Sequence, residues 1–294
     1  MQGELQDKCG IVGIYSYEDS VDVASWIYSA LYTLQHRGQE SAGISVLKEG
    51  RINTHVGMGL VSDVFDKDLI DILNGNVGIG HVRYSTTGES LVENCQPFVE
   101  HEDDIIIAFA HNGDFVNSRL LREELLNSGY EFRSTTDSEV ICHLIIDEYN
   151  KTKDAISAIQ NTCEKLIGSY SFVTVINGIL YAVRDPLGMK PLSIGRSENM
   201  VVLASETVAF DSLDIEYERS IEPGEILEEL ETRALEVIVV FLVDVIGGRL
   251  HILDRLQQVF AFICKMNNIL FAVAHQELDP LAGDFFVQLL LLGF

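Results

Sequence analysis

Apolar positions along the first 230 residues change period repeatedly, and each change marks an element. Ile11, Val12 and Ile14 sit in a continuous apolar run to Ser16, the pattern of a strand buried on both faces. Ile27, Ala30, Leu31 and Leu34 recur at helical spacing and predict a helix over Asp22–Leu34. Ala42–Leu47 and Arg51–Val56 read as a hairpin turning at Lys48-Glu49-Gly50. Val64, Phe65, Leu69 and Leu73 predict one helix over Val61–Leu73. Val77–Tyr84 and Ile105–His111 read as strands. Asn117–Ser128 reads as a helix stopped by Gly129, and Glu139–Tyr149 and Ala155–Leu166 as two more. Ser171–Ile176 and Ile179–Arg184 flank Asn177-Gly178, the strongest hairpin signal in the chain, and Val201–Ala204 is a further strand. Many strands with helices in two blocks predict sheets covered by helices on their outer faces.

The pattern changes near Glu231. Residues 232–294 are richer in long apolar runs, with Leu250, Leu253, Leu256, Phe260 and Ile263 forming a helical stripe. The longest apolar stretch, Val237–Ile246, is broken by Asp244 and is half the roughly 20 residues a membrane helix needs. The chain has 294 residues, 47% of them hydrophobic, enough for one large domain and a smaller appendage. Its formal charge of −25 argues against nucleic acid or an anionic membrane as partner, because phosphate would be repelled. Five cysteines at irregular spacing, with no zinc pattern, predict a reducing, cytoplasmic setting and no metal.

Four polar clusters are more particular than a core requires: Gln35-His-Arg-Gly-Gln-Glu-Ser-Ala-Gly43, His81-Val-Arg-Tyr-Ser-Thr-Thr-Gly88, His111-Asn-Gly-Asp114 and Thr135-Thr-Asp-Ser-Glu139. Each alone has an ordinary explanation: Asn112-Gly113 a turn, Asp137 a helix cap, Arg83 a surface charge. With Cys9 they share one chemical logic. Cleaving a carboxamide needs a thiolate, a base and an oxyanion hole. If the Lys8–Cys9 bond is cut, Cys9 carries thiol and α-amino base on one residue. The Asn112 side chain and the Gly113 backbone can supply the hole. Arg83 suits an α-carboxylate through its bidentate fork, and Asp137 an α-ammonium.

These segments, with Cys9-Gly-Ile-Val-Gly-Ile14, Gln96-Pro-Phe98 and Arg184-Asp-Pro-Leu-Gly-Met-Lys-Pro-Leu192, resemble the glutaminase domain of the amidophosphoribosyltransferases. That domain is a class II (N-terminal nucleophile) glutamine amidotransferase. The resemblance covers about residues 9–230 in order. It implies an α+β fold, a four-layer αββα sandwich. It implies residues 1–8 as a leader propeptide, Cys9 as nucleophile, Asn112 and Gly113 as oxyanion hole, and Arg83 and Asp137 as glutamine clamp with Thr86 nearby.

The same resemblance implies glutamine as substrate and phosphoribosyl pyrophosphate as ammonia acceptor in the full enzyme, in the first step of purine biosynthesis, with a possible homo-oligomer. Residues 231–294 stand where the family continues into a phosphoribosyltransferase domain, and nothing in them resembles it. The magnesium site, and the iron–sulfur cluster of some members, belong to that part, so no cofactor is expected in this chain. A freestanding glutaminase subunit, or an unprocessed binding module, are the alternatives.

Overall fold

The computed structural model describes residues 9–18, 20–84, 90–102, 104–229 and 240–241. The expectations for leader residues 1–8, for Thr86 and for nearly all of the 231–294 tail lie outside the described residues.

In chain order, β1 is Gly10–Ser16, α1 Ala24–Thr33, β2 Ser41–Lys48, β3 Arg51–Met58, α2 Val61–Val64, α3 Lys67–Ile72 and β4 Val77–Arg83. Then come β5 Phe98–Glu102, β6 Ile105–Phe115, α4 Ser118–Asn127, α5 Asp137–Thr152, α6 Ala155–Lys165, β7 Gly168–Ile176 and β8 Ile179–Arg184. Last are β9 Ser193–Arg196, β10 Met200–Ala204, α7 Val208–Leu213, β11 Glu216–Ser220, β12 Glu225–Glu229 and the two-residue β13 Val240–Phe241.

The strands build two sheets, ordered β11-β9-β10-β1-β4-β2-β3 and β13-β12-β8-β7-β6-β5, and every pairing described is antiparallel. Three apolar layers follow from the two-residue period of the strands. Val12 and Ile14 of β1 face outward onto Ile27 and Leu31 of α1. Phe109 and Phe172 of the second sheet face outward onto Val140, Ile141 and Leu144 of α5. Ile11, Ile79, Ala110, Val173 and Leu203 meet between the sheets. The order is helix, sheet, sheet, helix: the expected αββα sandwich. Each fully buried Ile or Leu in these layers contributes about 1.5–3 kcal/mol.

Both predicted hairpins form, with left-handed residues at their turns: Glu49 and Gly50 at φ 51° and 74°, Asn177 and Gly178 at 50° and 94°. Gly129, at φ +96°, follows α4 as expected of a C-terminal stop. Two expectations are corrected. The single helix over Val61–Leu73 is two short ones, because Phe65 is extended and the Asp66 side chain accepts the Leu69 N–H, starting a new turn. The strand expected over Ile105–His111 runs on to Phe115, pairing Asn112 with Ser171 and Gly113 with Tyr170, so these two residues lie within a strand and not in an ordinary turn. No helix among the described residues is long and apolar enough to cross a membrane.

Candidate active site

The antiparallel register carries the polar clusters to one end of the sandwich. Cys9 immediately precedes β1, where Gly10 pairs with Val82, and Arg83 closes β4 opposite Ser41. Gly38 passes so close to β4 that an added Cβ would lie 2.6 Å from the Arg83 carbonyl carbon. One pocket is lined by Cys9, Arg83, Tyr84, Gln96, His111, Gly113, Thr136, Asp137 and Ser138. Four of the six sequence-predicted residues, Cys9, Arg83, Gly113 and Asp137, therefore share one cavity. Asn112 is not among the lining residues. It is buried between two of them in β6, and neither its Nδ2 nor its Oδ1 has a hydrogen-bond partner among the described residues. Thr86 lies outside them.

Cys9 is partly exposed and sits at φ 64°, a left-handed conformation unusual for a residue with a side chain. Its N–H donates to Arg37 O at 3.0 Å, and Arg37 Nε donates back to Cys9 O at 2.7 Å. The Tyr84 N–H points at the sulfur, with N–Sγ 3.5 Å. Burial pushes the Cys9 thiol up, more than the Tyr84 amide and the Arg83 and Arg37 charges pull it down, and Asp137 adds to the rise. The sulfur is therefore a thiol at neutral pH and needs a base.

Neither histidine buried beside the site, His81 or His111, can be a cationic partner. Burial holds His81 and His111 down to about 3, so both are neutral. They are spent on structure: His81 Nε2 on His111 O at 3.1 Å, His111 Nδ1 on Ser138 Oγ at 3.0 Å. The described hydrogen bonds of the sulfur go to main-chain atoms of Tyr84.

Two opposite charges flank the sulfur. Arg83 is 3% exposed and its Nη1 donates to Glu40 Oε1. Asp137 is the first residue of α5. Burial lifts its carboxyl to about 6, helped by Asp114 and opposed by the backbone N–H groups of Asp137, Ser138 and Phe115. Its Oδ2 is buried with no partner among the described residues. Gln96 braces this wall, accepting the His111 N–H at 2.8 Å and donating to Ser138 Oγ at 3.0 Å. At Gly113 an added Cβ would lie 2.4 Å from Ser169 O, so the wall there is bare backbone.

Sequence reasoning missed Tyr84 as a donor and Glu40 and Glu206 as carboxylates on the two arginines. Glu40, Gln96 and Ser138 lay within quoted motifs, but nothing local tied Glu206 to Arg37, 169 residues away. Among the described residues one cluster could hold a cation, Glu100, Glu139 and His143. Glu139 already accepts the Arg133 and Ser134 N–H groups, and Arg133 pairs with Glu100, so the cluster is a tie between α5 and the preceding loop.

A model of the glutamine amidotransferase domain matches residues 81–212. The amidophosphoribosyltransferase of Methanothermobacter thermautotrophicus is 57% identical over 226 residues, 77% of this chain and 48% of that protein. That of Methanocaldococcus jannaschii is 54% identical over 220 residues, 75% and 46%. A solved glutamine phosphoribosylpyrophosphate amidotransferase from B. subtilis superposes with a TM-score of 0.68 at 37% identity, over 75% of this chain and 47% of that one. The chain thus spans about half the length of the curated relatives it matches. It carries a class II glutamine amidotransferase domain homologous to amidophosphoribosyltransferase.

Proposed function

We propose that this domain hydrolyses glutamine to glutamate and ammonia with Cys9 as nucleophile. The observation that carries the reading is a thiol flanked in one pocket by a cation and an anion, Arg83 and Asp137, as a zwitterionic amino acid requires. Arg83 takes the α-carboxylate of glutamine and Asp137 its α-ammonium, which sets the side-chain amide against the sulfur. Leader removal at Lys8–Cys9 frees the α-amino group, which Arg37 O holds through the nitrogen it already binds.

The amine takes the thiol proton as Sγ attacks Cδ. The resulting oxyanion is met by the unpartnered Asn112 Nδ2 and the Gly113 backbone. Collapse breaks the C–N bond, the α-ammonium returns the proton to the leaving nitrogen, and ammonia departs from a γ-glutamyl thioester. Water, activated by the same amine, then releases glutamate and restores the thiol.

The names of the longer relatives support phosphoribosyl pyrophosphate as the acceptor of this ammonia in a fuller enzyme, and residues 9–230 as the glutaminase domain within it; a solved relative described as an enzyme of purine biosynthesis, 37% identical, supports that pathway. Four cysteines among the described residues are free thiols, which supports a cytoplasmic setting. The test is Cys9→Ala, assayed by glutamate release, with intact mass reporting the start of the wild-type chain. Hydrolysis is expected to fall to background with the fold retained. Undiminished hydrolysis by the alanine variant would overturn the reading.

A further inference from the structure

We propose that Glu206 is a positioning residue for the nucleophile, acting through Arg37. The inference rests on the reading of Cys9 given above. In the chain that still carries Lys8, Cys9 sits at φ 64°, a left-handed value that a residue with a Cβ adopts only where its surroundings hold it. What holds it is one residue gripping both of its main-chain polar groups: Arg37 O accepts the Cys9 N–H at 3.0 Å, and Arg37 Nε donates to Cys9 O at 2.7 Å.

The grip needs an anchor. The Arg37 side chain is 2% exposed, and a guanidinium so buried requires a counter-charge. Glu206 provides it. Its Oε1 accepts from Arg37 Nη1, and its Oε2 is held by His36 Nε2 at 2.9 Å. Both carboxylate oxygens are thus engaged by neighbouring residues of the Gln35–Arg37 turn, so the carboxylate is fixed in plane and fixes the guanidinium.

The chain position of Glu206 strengthens the argument. Its neighbour Ser205 binds the nucleophile strand directly: Ser205 Oγ accepts the Ile11 N–H at 3.0 Å, and the Ser205 N–H donates to Ile11 O at 3.1 Å. Two consecutive residues after β10 therefore locate the nucleophile, Ser205 through Ile11 and Glu206 through Arg37. Glu206 is not among the residues lining the pocket, and its described ion pairs go to His36 and Arg37 rather than to the glutamine clamp. Losing it should disturb the approach of sulfur and amine to the amide while leaving that clamp intact.

The experiment uses the full chain with Glu206→Ala, Glu206→Gln and Glu206→Asp. Processed sites are counted by stoichiometric thiol alkylation and intact mass, so that kcat is expressed per competent Cys9. Misplacing reacting groups by about 1 Å can cost about 100-fold. Glu206→Ala is expected to lower kcat per competent site by about tenfold or more, with KM for glutamine within about twofold. Aspartate should restore part of the rate and glutamine less. Should the alanine variant fail to fold, the near-isosteric Glu206→Gln carries the same test. Unchanged kcat per competent site in a folded variant would overturn the proposal. So would a raised KM at constant kcat, which would place Glu206 in substrate binding. Failure of the Cys9 reading would show separately, as activity retained by Cys9→Ala.

Discussion

Replacing Asp137 by Asn should stabilise the fold while disabling the site. The carboxyl is buried at the start of α5, and burial with the nearby Asp114 lifts it from its usual 3.8 to about 6. At about 1.4 kcal/mol per pH unit, that rise corresponds to about 3 kcal/mol of penalty for the ionised form. Because the folded value lies above the unfolded one, the folded state binds the proton more tightly. The favourable contribution is complete below 3.8 and is lost as pH rises through about 6. An asparagine side chain there would keep an acceptor for the neighbouring N–H groups without the charge. Urea unfolding should therefore find Asp137→Asn more stable by up to about 3 kcal/mol at pH 8, with the gap shrinking to about 1.6 kcal/mol at pH 5. In parallel, the wild-type KM for glutamine should climb by up to about tenfold per pH unit below about 6, as the partner of the substrate ammonium becomes neutral. A variant no more stable than wild type at pH 8, or a stability gap indifferent to pH, would refute the reasoning.

Arg83→Lys keeps the charge but loses the planar fork, so KM for glutamine should rise by about tenfold or more in steady-state kinetics, with kcat less affected; an unchanged KM would remove Arg83 from the clamp. Asn112→Ala should cut kcat by about 100- to 1000-fold as an oxyanion donor is lost. Its thermal midpoint should hold or rise, since the amide it removes is buried without a partner among the described residues.

The centre of the fold was legible because its strands are buried on both faces and its turns carry their own chemistry. β1, β4, β7 and β10 are apolar runs, and Glu49-Gly50 and Asn177-Gly178 announce their hairpins. β5, β9, β11, β12 and the short helix α7 went unread. Phe98–Glu102 and Glu216–Ser220 lie at sheet edges, where charged residues break the alternation, and Glu225–Glu229 carries three glutamates through ion pairs and tyrosine contacts. The strand read as ending at His111 continues through Asn112-Gly113, because a turn dipeptide can lie mid-strand when a neighbouring strand holds it.

At the site, the residue types named a chemistry, but the links between them are long-range. Glu40 reaches Arg83 across 43 positions and Glu206 reaches Arg37 across 169. The donor from Tyr84 is a main-chain amide, which no side-chain identity can announce.

The β2–β3 hairpin has a practical consequence. β2 leaves the chemical end with Ser41 beside Arg83 and reaches Lys48 seven residues on, about 23 Å away at strand rise. There the chain turns through Glu49 and Gly50, and an added Cβ at Gly50 would meet nothing within 4 Å. A cysteine handle or short peptide tag spliced into that turn would tether the protein to a bead or electrode by its inert end. The catalytic mouth would then face the flowing solution, giving an ammonia-releasing surface with every molecule in the same orientation.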